Sequence, residues 1–261
     1  MLDRARELTG YKLETLDGQV ARVEDLYFDD HAWAIRYVVA DTGGWLSGKR
    51  VLLAPQVLLR VDRRHRTIGI ALTRTEIEHG RPADTHKPVS RRSERDHNWH
   101  FGMPMYWGFE GERRVAVKAQ GDYDPHLRSC RVVTGYALHA LDGEMGRVDD
   151  FLIEEQSWAI RYLIVQTHRW LTGKKVLLSP AWISAISWQR HEMVVDLGRD
   201  AIAQSPEYSP NAAGVTRDYE LELHRHYDRP TYWSSGSRAE DADALPVTAA
   251  ESPEPRDRGP R

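Results

Sequence analysis

Residues 32–55 read AWAIRYVVADTGGWLSGKRVLLAP, and residues 157–180 read SWAIRYLIVQTHRWLTGKKVLLSP, aligned without a gap. A chain that spells one pattern twice is bound to fold it twice. The register stays constant upstream: Leu2 falls on Leu127, Thr9-Gly10-Tyr11 on Thr134-Gly135-Tyr136, and Leu16-Asp17-Gly18 on Leu141-Asp142-Gly143. About half the positions from Thr9 to Pro55 are identical in the second copy. Weaker echoes follow one residue out of step, with Pro104, Tyr106 and Trp107 returning as Pro230, Tyr232 and Trp233. The unit is therefore roughly a hundred residues long, the size of an ordinary domain rather than of a solenoid repeat.

Within each copy the signals are those of strands. Asp17-Gly18 and Asp142-Gly143 mark tight turns between apolar segments. Residues 34–39 are apolar on both alternating faces, apart from Arg36, as a central strand requires. A long glycine-bearing hairpin, 42–50, separates them from Val51-Leu52-Leu53, and Pro55 ends that run because it has no N–H to donate. A further hairpin is expected from 57–61 and 67–72, and its second version from 182–186 and 193–197. Helix enters late in each copy: Thr73 and Glu76 have capping-box spacing, and 90–100 and 216–227 lack Gly and Pro.

These patterns predict a mainly β chain of two tandem units, each a self-contained sandwich or small β-barrel followed by a short helical tail. The expected divisions are a first barrel over 1–75, its tail over 76–107, a linker over 108–126, a second barrel over 127–200, its tail over 201–233 and a disordered stretch over 234–261. That last stretch has almost no large apolar side chains with which to offset chain entropy.

Composition excludes several classes. No apolar run approaches the roughly 20 residues that span a bilayer. The first residues carry Asp3, Arg4, Arg6 and Glu7 where a secretory signal needs an apolar core, and Cys130 is the single cysteine, so a cytoplasmic location is expected. A net charge of −3 argues against a chain dominated by phosphate binding. Basic stretches at 60–66 and 91–95 do not recur in the second copy.

Residues 10–55, with DG, VEDLYFDD, WAIRYVV, DTGGWLSGKRVLL and the closing proline, resemble a PRC-barrel domain, and residues 135–180 resemble a second. The resemblance implies a small six-stranded barrel in each half. It also links the chain by analogy to the cytoplasmic domain of the photosynthetic reaction centre H subunit and to the C-terminal domain of a ribosome-maturation factor. Both relatives use the module for protein contacts, which implies a non-catalytic interaction or assembly role, with peripheral association to a membrane complex as one setting. A ribosome- or RNA-associated binding protein is the alternative, and a small-molecule site in a barrel mouth or between the barrels is a third reading.

The candidate residues follow from burial and charge. Arg36 and Arg161 lie in apolar strands, where a guanidinium needs a partner; Asp25 or Asp29 and Asp150 or Glu154 are the candidates for structural ion pairs. Trp45 with Lys49 and Arg50, and Trp170 with Lys174 and Lys175, combine an aromatic ring and cations on a hairpin. That combination suits an interaction site, although either tryptophan could instead plug a barrel end. Trp33 and Trp158 read as packing residues. His97 with His100, and His224 with His226, make a weak metal pattern, and no catalytic, cofactor-binding or metal residue is assigned. No catalytic triad, phosphate loop or dinucleotide fingerprint occurs, and no cofactor or enzyme activity is expected.

Overall fold

The computed structural model describes residues 1–46, 48–79, 127–169, 173–210 and 214–234. The expected linker, the helix at 90–100, the basic stretch at 91–95, His97, His100, Trp170 and the tail beyond residue 234 lie outside the described residues.

The described chain is mainly β, arranged in two seven-stranded sheets. The first contains β2 (Lys12–Thr15), β3 (Gly18–Asp29), β4 (Ala34–Asp41), β5 (Arg50–Leu53), β6 (Leu58–Asp62) and β7 (Thr67–Ile70). Their order is β5-β4-β3-β2-β7-β6. The second contains β9 (Ala137–Ala140), β10 (Gly143–Glu154), β11 (Ile160–Thr167), β12 (Lys175–Leu178), β13 (Ile183–Ser187) and β14 (Glu192–Val195), in the equivalent order β12-β11-β10-β9-β14-β13. Neighbouring strands run antiparallel except β2 with β7 and β9 with β14, which are parallel.

The turns sit where the sequence puts them. Gly18 and Gly143 have φ of +132° and +137°, a region closed to most side chains, which explains the paired Asp-Gly turns. β4 is hydrogen-bonded on both sides, as its two apolar faces require. The Thr73 capping box forms in full: Thr73 N–H donates to Glu76 Oε2 at 2.8 Å, and Glu76 N–H donates to Thr73 Oγ1 at 3.3 Å, starting the helix Arg74–His79. The corresponding helix Arg199–Ala203 opens on Gly198 with no side-chain cap. A further helix, Arg217–His226, belongs to a separate compact unit that begins at Arg217. Inside it, the Arg217 guanidinium lies 3.7 Å from the centre of the Trp233 ring.

The seventh strand of each sheet corrects the expectation of two self-contained halves. β1 (Leu2–Arg4) does not join the first sheet; it pairs antiparallel with β10, Asp3 opposite Ile153. β8 (Leu127–Ser129) leaves the second sheet and pairs with β3, Arg128 opposite Phe28. Each strand runs directly into a one-turn helix, Ala5–Leu8 or Cys130–Val133. The two copies have thus exchanged their N-terminal arms. An isolated three-residue strand makes too few hydrogen bonds to signal itself, so nothing in the local pattern marks these segments as strands. Their destination is set by packing: Leu127 is buried in a cluster with Tyr27, Tyr37, Val39, Leu52 and Ala54 of the opposite copy.

Further contacts cross between the copies. Ile35 N–H donates to the Trp158 carbonyl at 2.8 Å, and Ile160 N–H donates to the Trp33 carbonyl at 2.7 Å. The rings of Phe28 and Phe151 lie 5.7 Å apart, and Trp33 stacks on Phe28 at 5.2 Å. The apolar interior is therefore continuous from one copy to the other.

Candidate functional site

The arginines expected to need partners have them. Arg36 lies 3.6 Å from Asp29, and Arg161 contacts Glu154 at the equivalent place. Of the alternative acids, Asp25 and Asp150 do something else. Each sits at a β-bulge, where the register of β3 or β10 slips by a residue. The bulge turns the carboxylate toward the arm arriving from the other copy. Asp25 Oδ1 accepts from Leu26 N–H (2.8 Å) and Arg131 N–H (3.2 Å), while its Oδ2 accepts from the Ser129 hydroxyl. Asp150 Oδ1 accepts from Phe151 N–H (2.8 Å) and Arg6 N–H (3.1 Å). Two buried acids thus hold two exchanged helices in equivalent ways. Desolvation raises the pKa of both carboxyl groups, against the lowering effect of those hydrogen bonds.

Between the two helices lies a cavity of about 350 Å³. Its wall is built from equivalent residues: Ala5 with Cys130, Arg6 with Arg131, Thr9 with Thr134, and Asp25 with Asp150, joined by Glu24 and Leu26 of β3. Burial also pushes the Cys130 thiol well up, so it stays protonated and is a poor nucleophile. The titratable groups that converge here are far apart in sequence. A constant register between the copies was the one available signal, since it pairs these residues; that the pairs face each other across one chamber depends on the arm exchange.

A second cavity, about 610 Å³, runs beside β6 and is closed by Met1 and by Glu155 to Trp158 of the other copy. Leu59, one of the few exposed large apolar residues among those described, lies on its rim.

The hairpin cations are largely committed within the fold. Arg50 contacts Glu24, and Lys175 Nζ lies 2.7 Å from Asp149 Oδ2, the equivalent pair. Lys174 Nζ donates to the Ser205 carbonyl, whereas Lys49 is exposed. Trp45 lies in the 3-10 turn Gly43–Leu46, its side chain outside the described set. The basic stretch 60–66 is also engaged: Arg63 holds both Asp3 and Glu155, Arg60 lies 3.5 Å from Asp62, and Arg66 covers the Tyr11 ring. Among the described residues no group of three or more His, Cys, Asp or Glu side chains is placed to hold a metal ion. His224 is buried, which lowers its pKa, and its ring meets Trp233 edge-on at 6.0 Å. Among the same residues no helix is long and apolar enough to cross a membrane.

Compared with known proteins, the chain matches no family model and no curated protein.

Proposed function

We propose that the chain is a non-catalytic tandem protein of the PRC-barrel type, an interaction and assembly module whose partner is another protein. The barrel reading is supported by a distance argument. In each sheet the two end strands are neighbours in sequence, with β5 ending at Leu53 and β6 starting at Leu58. Six strands laid flat at about 4.8 Å spacing would put those ends about 24 Å apart. Five residue steps reach at most about 18 Å, and here they form a 3-10 turn. The sheet has to curl, and β12 with β13 repeats the constraint.

The observation that carries the functional reading is the duplication itself: two equivalent sheets, joined by exchanged arms, offer one surface twice in a fixed relation. Two weak sites held together raise avidity through effective concentration. Because the arms are shared, the module works as one body, and cutting it between the copies would leave each sheet without a strand. The RNA-associated alternative draws less support, since Arg63 is held by two acids and Arg66 lies over Tyr11, which leaves Arg60 and Arg64 as the remaining exposed cations of the stretch.

The test keeps the whole chain. Immobilised protein is used to capture partners from a native extract at physiological salt, alongside the double variant Lys49→Glu, Lys174→Glu, after circular dichroism has shown the variant folded. One protein retained by the natural chain and lost by the variant is expected. Equal retention by both, or retention only of nucleic acid that is released by nuclease, would reject the reading.

A further inference from the structure

Asp25 and Asp150 occupy equivalent positions on the chamber between the copies, yet only one of them has its full set of donors. At Asp25 both oxygens are served, Oδ2 by the Ser129 hydroxyl. At Asp150, 3% exposed, Oδ2 receives no hydrogen bond from the described residues. The cause is a single difference in sequence. The position that Ser129 holds in one arm is Arg4 in the other, and the Arg4 guanidinium turns away to Glu7, its Nε 2.9 Å from Oε1. A buried carboxylate oxygen without a donor is costly, so this one calls for a donor from elsewhere.

The surroundings specify what that donor carries. Three acids, Glu24, Asp25 and Asp150, line the chamber against two arginines; Glu24 is paired with Arg50, which leaves the two buried aspartates as the charges that face the interior. Both arginines lie at its rim, with side chains 58% and 67% exposed, and Arg6 spends its Nη2 on the Asp149 carbonyl. The interior therefore favours a cation over an anion. Leu26 and Ala5 supply an apolar wall for a short alkyl stem. A volume of about 350 Å³ is at the small end of the ligand-pocket range, about 300–1,000 Å³, which suits a ligand of only a few heavy atoms.

We propose that the chamber between the two one-turn helices is a binding site for a small primary alkylammonium compound, whose N–H donates to Asp150 where the other arm has Ser129. Isothermal titration of the full chain with n-butylammonium chloride tests it at constant ionic strength. Tetramethylammonium chloride, which has charge but no N–H, and n-butanol, which has a donor but no charge, serve as controls. Saturable heat with butylammonium alone is expected. Arg4→Ser, which puts a hydroxyl where Ser129 has one, should weaken binding at least about tenfold while melting no lower than the natural chain. Asp150→Asn should weaken it similarly, and it carries the test if Arg4→Ser does not fold. No saturable heat with the natural chain, equal response to tetramethylammonium, or unchanged affinity in the variant used would overturn the proposal.

Discussion

The two exchanged arms share a backbone and differ in how they are fastened. Strand, one-turn helix and capping acid coincide between residues 2–9 and 127–134, and Leu8 and Val133 are buried alike. The charges are reversed. Asp3 in the first arm is gripped by Arg63, which also holds Glu155; Arg128 in the second binds Asp30 and lies 4.1 Å from the centre of the Trp188 ring. Positions 63 and 188 are equivalent, so an arginine has traded places between arm and turn. The exchange is thus fixed by apolar burial and backbone pairing, which both copies keep, while polar fastening is free to diverge once those are in place.

That comparison is most severely tested by emptying a site under one arm. Leu127→Ala should cost about 2–5 kcal/mol, and native-state hydrogen exchange should show the loss of protection in Gly18–Asp29, the strand on which that arm lies, before it spreads to Gly143–Glu154. Earlier loss in the second strand would mean that each arm stays on its own copy.

The sheets themselves offer the next contrast. A Cβ added to Gly146 would come within 2.3 Å of the Gln166 carbonyl oxygen, whereas the equivalent residue, Ala21, already carries one. Gly146→Ala is expected to destabilise by about 1–3 kcal/mol in chemical denaturation. A neutral result would show that the bulge beside it relaxes freely.

Arg63→Ala and Arg128→Ala separate the two fastenings. Each should cost about 1 kcal/mol or less, because the pairs are partly exposed. The cost of losing Arg63 should shrink as salt is raised, while Arg128 keeps a stacking contribution that salt screens less. Matching salt dependence in urea melts would erase the distinction.

The capping acids give the smallest effect and a defined sign. Burial raises the folded-state pKa of Asp150, so its stabilising contribution is full below the unfolded value, about 3.9, and is lost as pH rises through the folded one. Asp150→Asn should therefore be more stable than the natural chain at neutral pH, with the gap closing toward acid. Asp25→Asn should gain less, because Ser129 already serves the ionised form. Melting curves at several pH values check both, and a gap that widens on acidification would reverse the assignment.

Much of the fold was legible in local pattern. Asp-Gly turns, the doubly apolar run at 34–39, the hairpin ending at Pro55 and the Thr73 capping box all carry their signal within a few residues. The pairing of Arg36 with Asp29 rather than Asp25, and of Arg161 with Glu154 rather than Asp150, was readable only as a choice between two acids. The chamber was readable only as residues paired by the constant register, since Asp25, Asp150, Arg6 and Arg131 lie far apart in sequence and it is the exchange of arms that brings them together.

The sequence by itself determined that one β unit occurs twice in constant register, because side-chain alternation and turn chemistry act over short distances and need no knowledge of the partner. Only the tertiary structure decided where the two arms go. Three-residue strands have little preference of their own, and burial of Leu127 against Tyr27 and Tyr37, together with two bulged aspartates receiving two foreign helices, settles their place.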